Sequence, residues 1–284
     1  MKPVIARTRE ELVAARARIE GTLAFVPTMG ALHEGHLSLM REARRHADRV
    51  AVSIFVNPLQ FGPGEDFDRY PRTFEADVQA CAAEGVDLIF APTRDVMYPD
   101  DPQVTVKSGP MGEVVEGAAR PGHFDGMLTV VLKLLNLVRP DAAVFGEKDA
   151  QQLAMIRRMV ADLNVPVRIV GGPTVREPDG LALSSRNRYL SEPERATALA
   201  LSRALRAGAD AAADGPGAVL GAAGAVLDKA AAADPPLALD YLVLVDPATF
   251  APAPGGGPAV LAVAGRVGAT HLIDNVHLQL GKEH

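Results

Sequence analysis

The chain's most informative stretch reads FVPTMGALHEGH and spans residues 25–36. A short apolar strand ends in Pro-Thr-Met-Gly, and a His-x-Gly-His element then opens a helical pattern. The start of a helix offers backbone N–H groups and the positive end of the helix dipole. His33 and His36 lie side by side on that first turn, and Gly35 lets a ligand come close to the main chain. The stretch predicts a phosphate site made of backbone and side chains together.

The two histidines also admit two other interpretations, a zinc pair or an ordinary helix cap. A zinc site takes about four ligands. Cys81 is the single cysteine of the chain, and no further group of His or carboxylate residues has the spacing of metal ligands. We therefore favour phosphate over metal at this position.

Composition narrows the class of protein. The chain has 284 residues, of which 48% are hydrophobic and 23% charged, as is typical of a globular protein with two domains. Its net charge of −6 argues against nucleic acid as the main partner, because binding a phosphate backbone needs a basic surface. One cysteine favours a reducing compartment, and the N-terminus lacks the apolar segment of a signal peptide. Since no apolar run approaches the ~20 residues that span a bilayer, we expect a cytoplasmic protein without a membrane partner.

Apolar strands alternate with amphipathic helices through the N-terminal part of the chain. The predicted strands are 22–27, 50–56, 87–91, 142–146 and 167–170, and the predicted helices are 34–47, 73–84, 124–138 and 148–163. This alternation predicts an α/β fold, a Rossmann-like parallel sheet with helices on both faces. Ligands of such sheets bind beyond the carboxyl ends of the strands.

The sequence pattern changes around residues 171–174, where we place a boundary between domains 1–174 and 175–284. Ser191 is a predicted helix N-cap, and the Ala-rich region 196–233 predicts two packed helices broken near Gly215-Pro216-Gly217. Three β-like runs follow, at 240–245, 259–264 and 271–273. They predict a smaller α+β C-terminal domain with a short antiparallel sheet and helices on one side.

Two further segments carry side chains suited to a nucleotide. FGEKDAQQ (residues 145–152) lies at a predicted strand-to-helix turn, where Lys148 can hold a polyphosphate and Asp149 a ribose. Its other interpretation is a capped helix start with solvated charges. LSSR (residues 183–186) offers two hydroxyls and a guanidinium to phosphates, although such a tripeptide alone is typical of a surface loop.

A fourth segment, SIFVNPLQFG (residues 53–62), leaves a strand through an Asn-Pro turn. The amide of Gln60 beside apolar side chains suits hydrogen bonding to a small hydroxy acid, and a structural role for Gln60 is the alternative. The Gly/Pro-rich acidic loop 62–68 that follows is a candidate lid.

Together these motifs resemble the nucleotidylyltransferase superfamily, in which His-x-Gly-His and a loop with Lys and Ser bracket a nucleoside triphosphate. More closely, they are similar to the signature of the pantothenate synthetase family. The similar segments follow in order over nearly the whole chain, at residues 27–36, 54–61, 145–149 and 184–190. Leu183 and Ala150 depart from the Met and the bulky residue common in the family, but neither change removes a functional group.

The resemblance implies a ligase that forms a C–N bond in pantothenate (vitamin B5) biosynthesis. Pantoate and β-alanine would be joined with ATP and Mg²⁺ through a pantoyl-adenylate, releasing AMP and pyrophosphate. The resemblance also implies a homodimer, with 175–284 as the lid and dimer-side domain.

The same resemblance implies roles for individual residues. His33, His36 and Lys148 would be catalytic. The residues implied to bind ATP are Met29, His33, Gly35, His36, Gly146, Lys148, Asp149, Val175, Ser184, Ser185 and Arg186. Those implied to bind pantoate are Pro27, Met29, Gln60 and Gln152. No protein ligand is assigned to Mg²⁺, which the phosphates of ATP would mainly hold.

Other interpretations stay open at this stage. One is a nucleotidylyltransferase acting on a phosphate acceptor, which would call for additional Arg or Lys in the acceptor pocket. Another is a nucleotide-binding sensor without turnover. A fragment of a tRNA synthetase is disfavoured by the acidic charge balance.

Overall fold

The computed structural model describes residues 2–62, 64–65 and 67–281. Pro63 and Asp66 of the candidate lid loop lie outside the described residues. The chain divides into two compact units. Unit 1 comprises Met1–Gly112, Arg120–Glu147 and Met155–Pro173, and unit 2 comprises Glu113–Ala119, Lys148–Ala154 and Thr174–His284. The domain boundary after residue 174 remains a prediction.

The helices follow the apolar periodicity of the sequence, with additional short elements. In chain order they are α1 (Arg9–Arg16), α2 (Glu34–Arg44), α3 (Phe74–Ala83), α4 (Arg94–Met97), α5 (Glu116–Ala119), α6 (His123–Val138), α7 (Ala150–Asp162), α8 (Glu192–Asp210) and α9 (Pro216–Ala231). Short 3₁₀ turns occupy Pro58–Gln60, Pro110–Gly112, Ser185–Tyr189 and Ala212–Asp214.

Unit 1 contains a six-stranded parallel sheet, which confirms the predicted α/β fold. Its strands are β1 (Val4–Ala6), β2 (Leu23–Thr28), β3 (Arg49–Ile54), β4 (Leu88–Phe90), β5 (Ala142–Gly146) and β6 (Arg168–Gly172). Their order across the sheet is β1-β4-β3-β2-β5-β6, and every neighbouring pair is parallel. Strands β3 and β4 step outward from β2 on one side, whereas β5 and β6 lie on the other. The strand order therefore reverses between β2 and β5, where α/β sheets bind ligands.

Apolar side chains on both faces of the sheet explain why helices cover it. Ala24 and Val26 of β2 share a core with Met40 of α2 and Cys81 of α3. Because side chains alternate along a strand, Phe25 points to the opposite face, where it is fully buried and where α6 packs against β2. Helices thus cover both faces of the sheet and bury them from solvent, as is typical of a parallel sheet.

The sheet opens at the carboxyl ends of β2 and β5. β2 pairs with β5 through Ala24–Ala142 and Phe25–Ala143, while its pairing with β3 continues as far as Thr28–Ile54. Pro27 has no N–H to donate to a neighbouring strand, which favours this separation. The 25–36 stretch leaves the sheet beside the opening.

Two elements at the N-terminus, β1 and α1, are absent from the sequence-based prediction. β1 has three residues and lies at the edge of the sheet, so it carries too little periodicity to be recognised. The start of α1 did offer a signal, because Thr8 and Glu11 form a capping box.

Unit 2 contains the predicted antiparallel sheet and the pair of Ala-rich helices. The strands are β7 (Leu237–Val245), β8 (Gly257–Val267) and β9 (Thr270–Leu280), joined antiparallel in that order. Apolar residues of α8 and α9 share one core with the three strands. Ser191 is the N-cap of α8, and the carboxylate of Glu194 accepts its backbone N–H at 2.8 Å. Over the described residues, no helix combines the length and apolarity needed to cross a membrane.

Candidate functional site

The His-x-Gly-His element forms the start of α2, as predicted from sequence. His33 is the N-cap, with extended backbone, and its Nδ1 accepts the backbone N–H of Gly35 at 3.2 Å. Nδ1 of His36 accepts the backbone N–H of His33 at 3.3 Å, and the two ring centroids are 4.1 Å apart. A neutral imidazole that accepts at Nδ1 carries its proton on Nε2. Both rings therefore have the tautomer that donates from Nε2, which suits phosphate oxygens.

A buried carboxylate holds the loop that leads into this helix. Asp77 of α3 is 2% exposed, and its oxygens accept the backbone N–H groups of Ala31 at 3.1 Å and Leu32 at 2.9 Å. Gly30 and Ala31 both have positive φ, +83° and +51°. A Cβ at Gly30 would stand 3.0 Å from the Asp77 carboxylate, so this tight approach favours glycine. Asp77 thus fixes the direction in which His33 enters the helix.

Sequence reasoning missed Asp77, although the sequence did contain a signal for it. Phe74, Asp77, Val78 and Cys81 follow the spacing of one helical face. An acid on the apolar face of a helix needs a buried partner. Here the partners are the two loop amides and the hydroxyl of Thr73, which donates to Oδ1 at 3.2 Å.

The predicted pantoate residue Gln60 lies beside Met29 in unit 1. Its Nε2 approaches Sδ of Met29 at 3.1 Å, and its Oε1 accepts Nδ2 of Asn57 at 3.2 Å. Asn57 is 1% exposed, and its own orientation follows from two backbone contacts. Its Oδ1 accepts the N–H of Leu59 at 3.3 Å, and its Nδ2 donates to the carbonyl of Gly126 at 3.1 Å. Because Asn57 binds the oxygen of the Gln60 amide, the amide nitrogen of Gln60, which is a hydrogen-bond donor, points toward Met29.

Tyr98 completes this chain of contacts. Its hydroxyl donates to Oδ1 of Asn57 at 2.9 Å, and burial raises the pKa of the hydroxyl, so it stays protonated. The aromatic ring lies 6.2 Å from the ring of Phe55, which is also buried. A donor amide beside a thioether, held in place through Asn57 and Tyr98, can receive a small hydroxy acid.

The backbone of Gln60 is held by Arg120 and by His123, the first residue of α6. Nδ1 of His123 lies 2.7 Å from the Gln60 carbonyl oxygen, and Nη2 of Arg120 donates to the same oxygen at 3.4 Å. Arg120 also forms a two-point ion pair with Glu65, at 2.9 and 2.6 Å. A Cβ at Gly126 would overlap the carbonyl of Leu59, so only glycine lets α6 pack this closely on the 58–60 turn.

In unit 2, the predicted nucleotide residues Lys148 and Asp149 precede α7. The N–H of Leu153 donates to the carbonyl of Asp149 at 2.9 Å, which is the first backbone bond of the helix. The carbonyl of Lys148 accepts Nδ2 of Asn275 at 2.7 Å. The Lys148 side chain is half-buried, and its ammonium forms no ion pair with any described residue.

Val175 and the Ser184–Arg186 segment lie on one hairpin of unit 2. The N–H of Leu183 donates to the carbonyl of Val175 at 3.0 Å, and Arg176 and Ala182 form an antiparallel bridge. Oγ of Ser184 accepts the N–H of Arg186 at 3.2 Å and caps the 3₁₀ turn that follows. The hairpin thus brings the predicted adenine residue and the predicted phosphate residues onto one small element.

The two consecutive glutamines at the start of α7 have different surroundings. Gln151 is buried, its Oε1 accepts the N–H of Glu116 at 3.0 Å, and its Nε2 donates to the Val114 carbonyl at 2.8 Å. Gln152, the predicted pantoate residue, is half-buried. Gln151 therefore anchors the first turn of α7 to the 113–119 segment of unit 2.

The predicted site residues divide between the two units. Unit 1 holds Pro27, Met29, His33, Gly35, His36, Gln60 and Gly146, and unit 2 holds Lys148, Asp149, Gln152, Val175, Ser184, Ser185 and Arg186. Pro27 and Gly146 lie at the carboxyl ends of β2 and β5, at the opening in the sheet. The binding role of each residue remains a prediction. In the part of the chain that the structure describes, no three His, Cys, Asp or Glu residues are grouped as metal ligands.

The fold and these side chains define an α/β protein with a Rossmann-like sheet and a helix start suited to phosphate. A family profile described as Pantoate-beta-alanine ligase matches residues 4–277. The chain belongs to this family.

Curated relatives and solved structures agree with this assignment. The chain is 65% identical over 286 residues to the pantothenate synthetase of Thermobifida fusca, covering 98% of this chain and 96% of that protein. It is 59% identical over 285 residues to the pantothenate synthetase of Acidothermus cellulolyticus, covering 98% of this chain and 92% of that protein.

Two crystal structures share the fold over nearly their full length. The pantothenate synthetase of Thermus thermophilus superposes with a TM-score of 0.90 at 48% identity, covering 96% of this chain and 98% of that chain. The pantoate-beta-alanine ligase of Francisella tularensis, solved with beta-gamma ATP and beta-alanine, gives a TM-score of 0.79 at 34% identity, covering 96% and 97%.

Proposed function

We propose that this chain condenses pantoate with β-alanine at the expense of ATP, releasing AMP and pyrophosphate. Membership of the pantoate–β-alanine ligase family supports this activity, as do the pantothenate synthetases to which the chain is similar. The Francisella tularensis relative with ATP and β-alanine bound supports the same two substrates here.

The observation that carries the proposal is the contact between Gln60 and Met29. It provides an amide donor beside a thioether in the same unit as the two histidines. A phosphate acceptor would need a free cation at this place, whereas Arg120, the guanidinium near Gln60, is paired with Glu65. The surroundings of Gln60 therefore favour a small hydroxy acid such as pantoate over a phosphorylated acceptor.

The first step is the attack of a pantoate carboxylate oxygen on the α-phosphorus of ATP. A new O–P bond forms, the bond from the α-phosphorus to the bridging oxygen breaks, and pyrophosphate leaves with the electron pair. Negative charge accumulates on the phosphoryl oxygens, so positive groups and N–H donors aimed at them accelerate the step. His36 and Lys148 are proposed for this role, with His33 and Arg186 holding the pyrophosphate.

The remaining ATP contacts follow from the same proposal. Ser184 and Ser185 would bind phosphate oxygens, Asp149 and Gly146 the ribose, and Val175 the adenine. The donors proposed for the phosphates are imidazole, ammonium and guanidinium groups, which suit phosphate oxygens rather than Mg²⁺. Mg²⁺ would therefore arrive on the phosphates of ATP and supply neutralising charge there.

The second step is the attack of the β-alanine nitrogen on the acyl carbon of the adenylate. The C–N bond forms, the bond between the acyl carbon and the AMP oxygen breaks, and the nitrogen loses its extra proton to solvent. The adenylate is already activated, so holding the amine next to it is the main requirement. Domain 175–284 and the 62–68 loop are proposed to keep water away from the adenylate.

We propose further that the protein is a homodimer in the cytoplasm. A reducing compartment suits the single cysteine, whose thiol pKa is raised to about 12 by burial and by the charge of Asp77. Light scattering and cell fractionation test the two statements.

The activity is tested by following AMP release with ATP, Mg²⁺, pantoate and β-alanine, omitting each in turn. We expect AMP release only with all four, and exchange of pyrophosphate into ATP with pantoate but without β-alanine. AMP release that needs no pantoate, or transfer to a phosphorylated acceptor instead, would overturn the proposal. ATP binding without either reaction would point to a nucleotide sensor.

A further inference from the structure

Two consecutive polar residues of β9, Asp274 and Asn275, are almost completely buried in unit 2. They are 4% and 5% exposed, although β9 otherwise contributes apolar residues such as Leu272 and Leu278 to the core. Buried amide and carboxylate groups are costly unless they are hydrogen-bonded, so their partners are informative.

Asn275 contacts the backbone of the predicted catalytic lysine. Its Nδ2 donates to the carbonyl oxygen of Lys148 at 2.7 Å, across 127 positions of sequence. This carbonyl precedes α7, so the backbone bonds of the helix do not include it. The side-chain amide of Asn275 therefore orients the backbone at Lys148, the residue whose ammonium group is proposed to act on ATP.

Asp274 contacts the hairpin that carries Val175 and Ser184–Arg186. Its two carboxylate oxygens accept Nη1 and Nη2 of Arg176 at 2.6 and 2.9 Å. Nη1 of Arg176 also donates to the carbonyl of Gly180 within the hairpin, at 3.1 Å. Such a two-point guanidinium–carboxylate pair fixes orientation as well as distance.

One strand thus holds two predicted nucleotide-binding segments through neighbouring side chains. The N–H of Asn275 also donates to Oδ1 of Asp274 at 2.8 Å, so the two contacts are mechanically linked. We propose that Asp274 and Asn275 are positioning residues that fix Lys148 relative to the 175–186 hairpin for adenylate formation. This inference rests on the proposed role of Lys148 in that step.

A positioning role requires a particular hydrogen-bonding group at position 275. The side chain must donate a hydrogen bond, because the backbone carbonyl of Lys148 can only accept one. Asn275→Asp keeps the size and shape of the side chain but turns the donor into an acceptor. Asn275→Ser shortens the side chain without adding charge, and serves as the second variant should the first fail to fold.

The experiment measures pyrophosphate exchange, with melting temperatures recorded for each protein. Gln279→Ala, an exposed amide on the same strand, is the matched control. We expect Asn275→Asp to lower the exchange kcat about a hundredfold, as misplacement by about 1 Å does, and Asn275→Ser about tenfold. The KM for pantoate should stay within about twofold, because three of the four predicted pantoate residues, Pro27, Met29 and Gln60, belong to unit 1.

Two outcomes separate this inference from the proposed function. If Lys148→Ala retains normal exchange, the proposed role of Lys148 is wrong and the inference falls with it. If Lys148→Ala is inactive while folded Asn275→Asp or Asn275→Ser has the wild-type kcat, the positioning role alone is overturned. A rise in the pantoate KM that matches the fall in kcat would also overturn it, because that pattern indicates a general structural defect.

Discussion

The carboxylate of Asp77 accepts the backbone N–H of Leu32 at 2.9 Å, joining α3 to the loop that begins the His-x-Gly-His helix. A second oxygen of the same carboxylate accepts the N–H of Ala31. The side chain of Asp77 contacts none of the predicted substrate-binding residues. It nevertheless fixes the position of the helix start that carries His33 and His36.

Replacing Asp77 should therefore damage both stability and activity. Asp77→Ala leaves two loop amides without their acceptor, which should cost about 3 kcal/mol of unfolding free energy. Asp77→Asn retains one acceptor oxygen and should lose less. Urea unfolding measures the stability and pyrophosphate exchange the activity. Glu75→Ala, an exposed acid on the same helix, is the control, and equal stability of Asp77→Ala and this control would contradict the prediction.

The tautomer of His36 predicts an order among its variants. Asparagine at 36 can replace Nδ1 as the acceptor for the His33 N–H, whereas glutamine can replace the Nε2 donor. If donation from Nε2 stabilises the transition state, His36→Ala and His36→Asn should both lose about a hundredfold or more in adenylate formation. His36→Gln should retain more activity than either.

Single-turnover formation of pantoyl-adenylate at saturating ATP measures this order directly. His46→Ala, a histidine just beyond the end of α2 paired with Glu42, is the control and should keep normal activity. Equal rates for the Asn and Gln variants would show that the donor at Nε2 is not what matters.

Tyr98 should influence pantoate binding without touching pantoate. Tyr98→Phe removes the hydroxyl that donates to Asn57, which in turn orients Gln60. Loss of one buried hydrogen bond corresponds to about a fivefold to tenfold rise in the KM for pantoate. The KM for ATP is the internal control and should not change. A parallel rise in both constants would mean that the substitution acts through general instability.

Gly126 is predicted to tolerate no side chain. Alanine there would overlap the Leu59 carbonyl and push the 58–60 turn away from α6, so stability and pantoate affinity should both fall. Gly221→Ala in α9 is the matched control, because a Cβ there meets nothing within 4 Å. That control should gain about 0.5–1 kcal/mol from helix propensity. Thermal melts of the two variants should therefore shift in opposite directions.

Glu65 provides a test by pH. Burial alone would raise the pKa of its carboxyl, but the hydrogen bonds and charge of Arg120, with the charge of His123, outweigh burial and hold the pKa below 4.5. A carboxyl whose pKa is lower in the folded than in the unfolded chain stabilises the fold at pH values above its unfolded-state pKa. This contribution is lost as the pH falls through the folded-state pKa. Glu65→Gln should thus lower Tm at pH 7 by about 2–4 °C.

The deficit of Glu65→Gln should shrink as pH falls below 4.5, because the unfolded chain then takes up a proton more readily than the folded one, and it should vanish below the lowered pKa of the folded carboxyl. Glu20→Gln, an exposed acid, is the control and should follow the wild type at every pH. A deficit that stays constant down to pH 3 would show that the ion pair with Arg120 is not its cause.

Local patterns of apolar and polar residues account for the parts of the fold that could be predicted from the sequence. The alternation of apolar strands and amphipathic helices yielded the parallel sheet, and the predicted strand 142–146 has the observed bounds. Helix ends shifted by a few residues: the predicted 34–47 helix ends at Arg44, and 148–163 begins at Ala150. Strand β1 is too short to show a period, whereas helix α1 was missed although Thr8 and Glu11 form a capping box at its start.

The sequence by itself determined the parallel sheet, the C-terminal antiparallel sheet, the His-x-Gly-His helix start and the family, because each depends on residues close together in the chain. Only the tertiary structure decided which distant residues hold these motifs in place. Asp77 reaches Leu32 across 45 positions, and Asn275 reaches Lys148 across 127. Helical spacing places Asp77 on an apolar face, but it does not show which group the acid contacts, since such hydrogen bonds depend on how folded elements meet.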